Sequence, residues 1–87
     1  MVRSEVKLGA GNGLHARPAS MLTKVAAKFD ANVKLVSGEK KVDCKSIIGI
    51  LSLGATEGTS LFVEADGSQA NDVVEAIKEL FNNNFNE

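Results

Sequence analysis

The sequence predicts a two-layer α+β domain in which helices cover one face of a single, mostly antiparallel sheet. Segments that alternate between polar and apolar residues, as strands do, are interleaved with segments whose apolar residues recur at helical spacing. The chain has 87 residues, of which 44% are hydrophobic and 24% charged, and a chain of this size supports one modest core. We therefore expect one domain over residues 1–87, with the order β-α-β-β-α-β-α.

The first half of the chain contains a strand, a helix and a hairpin. Residues 2–8 alternate and end at a cluster of glycines, which predicts a strand followed by a loop. Residues 16 to about 28 have an apolar face at helical spacing, with lysines on another face, which predicts an amphipathic helix. Two short strands, 33–37 and 40–43, are then joined by Ser-Gly-Glu, which is typical of a hairpin turn.

The second half contains a short helix, a strand and a longer helix. Ser46 precedes an apolar run that Gly54 closes, which predicts a helix of about two turns with Ser46 as its N-cap. Residues 60–66 alternate as a strand does, and the segment after Gly67 carries apolar residues at helical spacing through Phe81. The asparagine-rich end, NNNFNE, is expected to fray.

Composition excludes several classes of protein. The formal net charge of −1 favours neither nucleic acid nor membrane as a partner, and the longest apolar stretch, IIGILSLGA, is too short to span a bilayer. With no secretory signal, we expect a cytoplasmic protein. The single cysteine, Cys44, cannot form an internal disulfide, and one histidine and one cysteine cannot make a metal site alone, so no metal or cofactor is expected.

The only histidine, His15, lies between a glycine-rich loop and an Arg-Pro pair. At the start of the helix beginning at Ala16, unpaired backbone N–H groups and the helix dipole favour an anion such as phosphate. Arg17 adds a planar charged fork that matches phosphate oxygens, and Pro18 suits a first helical turn. A neutral imidazole there could accept a phosphoryl group and pass it on. On the residues alone, a surface or capping role for His15 stays open.

The loop GAGNG also suggests a dinucleotide site. It fails the G-x-G-x-x-G spacing at Leu14, and 87 residues leave no room for a dinucleotide-binding fold, so we discount that interpretation.

Two motifs, GLHARPAS at 13–20 and KSIIGILSLG at 45–54, resemble the HPr family, the histidine-containing phosphocarrier proteins of the phosphoenolpyruvate-dependent sugar phosphotransferase system. The similarity covers essentially the whole chain. It implies an open-faced β-sandwich, with a four-stranded antiparallel sheet of order 1-4-2-3 and three helices on one face.

The resemblance also implies a function and a site. His15 would accept a phosphoryl group on Nδ1 from phosphorylated enzyme I and donate it to enzyme IIA components, as a carrier without turnover of its own. Arg17 would stabilise the phosphoryl group, and Ala16, Pro18 and Gly54 would shape the site. The interface with partners would include Ser20, Lys24, Ile47, Ile48 and Leu51. We expect a monomer, because a carrier must expose its site to successive partners.

Ser46 has two interpretations. On sequence alone it is an N-cap. In HPr proteins of low-GC Gram-positive bacteria the matching serine is phosphorylated by HPr kinase/phosphorylase, and the product is a co-repressor with catabolite control protein A. The resemblance therefore leaves two functional classes: a phosphoryl carrier, and a regulatory binding module that depends on phosphorylated Ser46. The related paralogue Crh lacks the active histidine, and the presence of His15 argues against that assignment.

The apolar and basic residues near these motifs also have two interpretations. A short helix cannot bury all of Ile47, Ile48 and Leu51, so some should face partners, although others belong to the core. Ile48 and Leu51 replace methionines that are frequent in Gram-positive members, which loses the adaptability of that side chain. Lys24 is solubilising or helps steer acidic partners.

Overall fold

A computed structural model describes residues 1–9, 16–56 and 58–85. Four strands form one sheet and three helices pack on one of its faces, which confirms the predicted fold class and element order. The elements are β1 (Val2–Lys7), α1 (Ala16–Ala27), β2 (Asn32–Ser37), β3 (Lys40–Asp43), α2 (Ile47–Ser52), β4 (Ser60–Asp66) and α3 (Ala70–Asn82).

The sheet has the order β1-β4-β2-β3, with every neighbouring pair antiparallel. The first strand pairs with the last, from Val2 opposite Ala65 to Lys7 opposite Ser60. The hairpin strand β2 lies on the other side of β4, and β3 forms the far edge. The strand order 1-4-2-3 implied by the resemblance is therefore confirmed.

The core lies between the sheet and the helices. In the central strand β4, alternate residues are buried, and Leu61, Val63 and Ala65 point into this layer. Leu22 of α1 and Ile77 of α3 are fully buried against them. The period-2 alternation of the strands and the apolar stripes of the helices thus meet in one contiguous cluster.

The open face of the sheet is tied together by ion pairs. Glu64 on β4 accepts from Lys41 Nζ of β3 at 2.9 Å and from Arg3 Nε of β1 at 3.0 Å. These two contacts hold the pKa of the Glu64 carboxyl below its usual range. The Arg3 guanidinium also lies 3.8 Å from the centroid of the Phe62 ring, a cation–π geometry. Side chains from β1, β3 and β4 therefore act as one network.

At one end of the sheet the α1–β2 loop packs closely against the β4–α3 loop. Gly67 has φ 134°, and a Cβ at this position would lie 2.9 Å from Ala31 Cα and 3.0 Å from the Asp30 carbonyl oxygen. Gln69 accepts from Asp30 N at 2.8 Å through its side chain and donates its own N–H to the Asp30 carbonyl at 3.0 Å. Only glycine fits both this backbone conformation and this close approach.

The end of the chain is ordered further than the sequence predicts. We expected NNNFNE to fray, but Phe85 is only 1% exposed and belongs to the core cluster. Its ring meets that of Phe81 edge-on, with centroids 4.9 Å apart. The expectation of fraying is wrong as far as Phe85, because burial of one aromatic ring offsets the weak local preference of the asparagines.

Candidate functional site

The amino end of α1 combines one arginine side chain with the unpaired N–H groups of a first helical turn. Arg17 is the second residue of the helix, and its first turn contains no acidic residue. A cation in a first turn is opposed by the helix dipole unless an anion is present. Pro18 is buried within this turn, where its missing N–H removes no helical hydrogen bond. The turn therefore offers the backbone N–H groups and the guanidinium that an oxyanion needs.

The predicted phosphoryl acceptor, His15, lies outside the described residues. Ala16, which follows it directly, begins α1 and is exposed. The described residues therefore show only the helical part of the candidate phosphoryl site, from Ala16 onward.

Arg17 is tied to the other end of the chain. Its Nη2 donates a hydrogen bond to the main-chain carbonyl oxygen of Phe85, although the residue as a whole is exposed. This contact could not be predicted from the local sequence pattern, because nothing in that pattern joins residue 17 to residue 85. A signal was present in the phenylalanine within an otherwise polar tail.

Ser46 is the N-cap of α2, as the sequence predicts. It has extended backbone angles, φ −110° and ψ 110°, and its Oγ accepts from Gly49 N at 3.1 Å. Gly49 lies close to the cap, because a Cβ there would meet both Ser46 Oγ and Val42 Cβ at 3.3 Å. The glycine that weakens the helical pattern in the sequence therefore allows α2 to approach β3.

Three side chains of α2 form an exposed apolar surface, which we call the α2 patch: Ile47, Ile48 and Leu51. Their exposed fractions are 42%, 83% and 39%, whereas Ile50 of the same helix is fully buried. Apart from Met1, they are the large hydrophobic residues that stand out as exposed in the described part of the chain. The expectation that some of these three side chains face outward is confirmed. The expectation that others of the three belong to the core is wrong, because all three are exposed and Ile50 fills the core position of this short helix.

The remaining predicted residues flank these two features. Helices α1 and α2 pack against each other. Gly54 follows α2 with φ 60° and open space around it, a conformation that favours glycine. Ser20 is half-buried in α1, where its carbonyl accepts from Thr23 Oγ at 2.8 Å, and Lys24 is exposed in the last turn of the same helix.

Metal and membrane chemistry find no support among residues 1–9, 16–56 and 58–85. No group of three or more histidine, cysteine or acidic side chains there could hold a metal ion. No helix in the same ranges is long and apolar enough to cross a bilayer. Burial raises the pKa of the Cys44 thiol to about 12, with the Asp43 charge adding to the shift, so Cys44 is a core residue rather than a nucleophile.

Comparison with known proteins identifies the family. The family model "PTS HPr component phosphorylation site" matches residues 2–83. Phosphocarrier protein HPr of Mycoplasma capricolum subsp. capricolum is 42% identical over 67 residues, which cover 77% of this chain and 75% of that protein. Phosphocarrier protein HPr of Xylella fastidiosa is 37% identical over 87 residues, covering 100% of this chain and 98% of that protein.

Solved structures give the same result. The crystal structure of HPr-C-His from Thermoanaerobacter tengcongensis superimposes with a TM-score of 0.94 at 33% identity, covering 100% of this chain and 98% of that one. The catabolite repression protein Crh of Bacillus subtilis, a dimer described as having a swapping domain, gives 0.78 at 31% identity, with both chains fully covered. Family match, identity over the whole chain and fold agree, and the chain belongs to the PTS-HPr family.

Proposed function

We propose that this protein is a phosphoryl carrier that accepts a phosphoryl group on His15 from phospho-enzyme I and donates it to enzyme IIA components. Membership of the HPr family supports a phosphocarrier in general, and the amino end of α1 supports the site in particular. The observation that carries the proposal is Arg17 in a first helical turn without any acidic residue, directly after the single histidine of the chain.

The chemistry needs only residues at this helix end. The lone pair of His15 Nδ1 attacks the phosphorus, the bond from phosphorus to enzyme I breaks, and the leaving group keeps that electron pair. The N–H groups of the first turn and the Arg17 fork then stabilise the charge on the phosphoryl oxygens. Transfer to an enzyme IIA is the same displacement with a nucleophile of the acceptor. The protein is regenerated, which makes it a carrier rather than a catalyst with its own turnover.

Intact mass spectrometry tests the carrier function. We expect one phosphoryl adduct after incubation with phosphoenolpyruvate and enzyme I, lost on acid treatment and absent from His15→Ala. Phosphohistidine is labile in acid whereas phosphoserine survives it, so the acid step identifies the linkage. No adduct with a demonstrably active enzyme I would refute the proposal.

The second candidate function is regulation through Ser46 by a kinase of the HPr kinase/phosphorylase class, with catabolite control protein A as the partner of the phosphorylated form. The position of Ser46 favours it, because a phosphate at an N-cap meets the unpaired N–H groups of α2 and leaves the fold intact. The new charge would adjoin the α2 patch. Similarity to Crh, a catabolite repression protein, is compatible with this role without favouring it over the carrier.

The two functions are coupled if enzyme I docks on the α2 patch. We expect Ser46→Asp to slow phosphorylation of His15 through repulsion beside that patch. An unchanged rate would remove this mechanism. The matched control is Asn71→Asp, which adds the same charge at an exposed position of α3.

The α2 patch supports docking of protein partners through apolar contact, and we propose that Ser20 and Lys24 of the adjoining helix α1 extend this interface. We expect Ile48→Glu to slow transfer from enzyme I, and Asn71→Glu to leave the rate unchanged. Raising the salt concentration should also slow transfer if lysines such as Lys24 steer acidic partners. A rate independent of salt would leave those lysines as solubilising residues.

We also propose that the protein works in the cytoplasm as a monomer, without nucleic acid or membrane as a partner. The expectation of a monomer rests on the need to present one surface to successive partners. Because Crh forms a dimer, light scattering across a range of protein concentrations is the direct test. A mass twice that of the chain would overturn this part of the proposal.

A further inference from the structure

The turn that follows α3 has an unusual backbone. Asn84 and Phe85 both adopt positive φ angles, 53° and 57°, although neither is glycine. Such a conformation is unfavourable for residues with side chains and persists only where the surroundings fix it. The chain thus maintains two strained residues in succession close to its end.

Several contacts fix this turn. The Phe85 N–H donates to the Leu80 carbonyl at 2.8 Å, and the Phe85 ring is 1% exposed in edge-on contact with Phe81. Gly9 faces the turn, and a methyl group at Gly9 would overlap the Asn84 side-chain amide. A buried ring, a helix-ending hydrogen bond and a glycine on the opposite segment therefore fix the direction of the Phe85 carbonyl.

That carbonyl accepts from Arg17 Nη2. Arginine carries several N–H donors in a rigid, planar fork, so one bond from Nη2 leaves the others free to bind a second acceptor. An exposed arginine without a fixed partner would lose much of its side-chain freedom on binding phosphate. A guanidinium already held by one bond loses less.

We propose that Phe85 is a positioning residue for phosphoryl transfer, whose carbonyl orients the Arg17 guanidinium so that its remaining donors meet the phosphoryl oxygens. The inference rests on the proposed function and adds to it the part played by the C-terminal turn. Phe85 touches no phosphoryl group. It acts through Arg17, and its ring is the anchor that keeps the carbonyl in place.

Substitution of the anchor provides the first test. Phe85→Gly retains the carbonyl and allows the positive φ, so it removes only the ring. At a fixed ratio of phosphoenolpyruvate to pyruvate, we expect the ratio of phosphorylated to free protein to fall roughly threefold to tenfold, the order expected for the loss of one typical hydrogen bond. Phe85→Leu keeps a buried apolar anchor and should restore most of the ratio. Asn83→Gly, an exposed position in the same turn, is the matched control and should change nothing.

A double-mutant cycle separates positioning from loss of stability. In an Arg17→Ala background, Phe85→Gly should change the ratio by less than about twofold, because the group that it positions is gone. The same fall in both backgrounds would show a structural effect only and would overturn the proposal. A rise in the phosphorylated fraction would also overturn it, because the Phe85 carbonyl would then compete with the phosphoryl group for Arg17.

A measurement on the unsubstituted protein keeps the test valid if Phe85→Gly does not fold. We expect NMR to detect a scalar coupling across the hydrogen bond from Arg17 Nη2 to the Phe85 carbonyl carbon, both before and after phosphorylation. Loss of that coupling in the phosphorylated protein would refute positioning. Absence of phosphorylation in the unsubstituted protein would instead refute the proposed function, while the coupling would still report on the contact itself.

Discussion

Replacement of Ser46 by alanine should destabilise the protein by an amount that the cap geometry sets. The Ser46 hydroxyl accepts one hydrogen bond, from Gly49 N at 3.1 Å, and half-buried N-caps of this kind contribute about 1 kcal/mol. For a domain of this size, that loss corresponds to a fall in Tm of about 4–8 °C. Ser46→Asp should keep most of the stability, since aspartate also caps helices and its charge suits a helix amino end.

Thermal unfolding followed by circular dichroism measures the effect. Ser52→Ala is the matched control in the same helix, because its hydroxyl donates to the Gly49 carbonyl at 2.6 Å, a local bond that adds little to helix stability. We expect a clear loss of stability for Ser46→Ala and almost none for Ser52→Ala. Equal losses, or a stable Ser46→Ala protein, would refute this expectation.

Three further predictions concern the remainder of the fold. Gly67→Ala should lower the free energy of unfolding, measured in urea, by about 1–3 kcal/mol. The loss should be larger than for Gly38→Ala, because Gly38 also has a positive φ but has open space around it. Equal losses would contradict the close approach of Gly67 to Ala31. Because ion pairs lower the pKa of Glu64, the unsubstituted protein should be more stable than Glu64→Gln at pH 7. This difference should decline as the pH falls below about 4.3 and disappear below the lowered pKa of the folded protein; a constant difference would exclude the ion pairs. With its thiol buried and the pKa raised to about 12, Cys44 should react with a thiol reagent at pH 8 only at the rate of unfolding, and rapid reaction of the folded protein would show that it is accessible.

Local patterns explain what could be predicted from the sequence. The alternation of Leu61, Val63 and Ala65 identifies the central strand, because a strand with one buried face requires that period. Ser46 is recognisable as a cap because capping involves residues only three apart. The exposure of Ile48 follows from the length of α2, since so short a helix has one side to bury.

Contacts between residues that are far apart in the sequence explain what could not be predicted from it. The tail NNNFNE contains no local preference for order, and Phe85 is buried only because α3 directs it back onto Phe81. The Arg17 contact depends on that burial and on a positive φ that propensities do not encode. Similarly, the partners of Glu64 come from β1 and β3, and only the strand order brings them together.

The pairing of β1 with β4 has a consequence for the synthesis of the protein. Val2 is translated well before its partner Ala65, because α1, β2, β3 and α2 lie between them and the ribosome adds about 5–20 residues per second. During those seconds the first strand has no neighbour in the sheet. The charged residues at alternate positions of this strand, Arg3, Glu5 and Lys7, make it a poor template for aggregation until β4 has been synthesised. The strand order thus links the composition of β1 to the time that translation takes. A mutation that makes this strand apolar should lower the yield of folded protein in the cell, even where it changes the stability of the folded protein little.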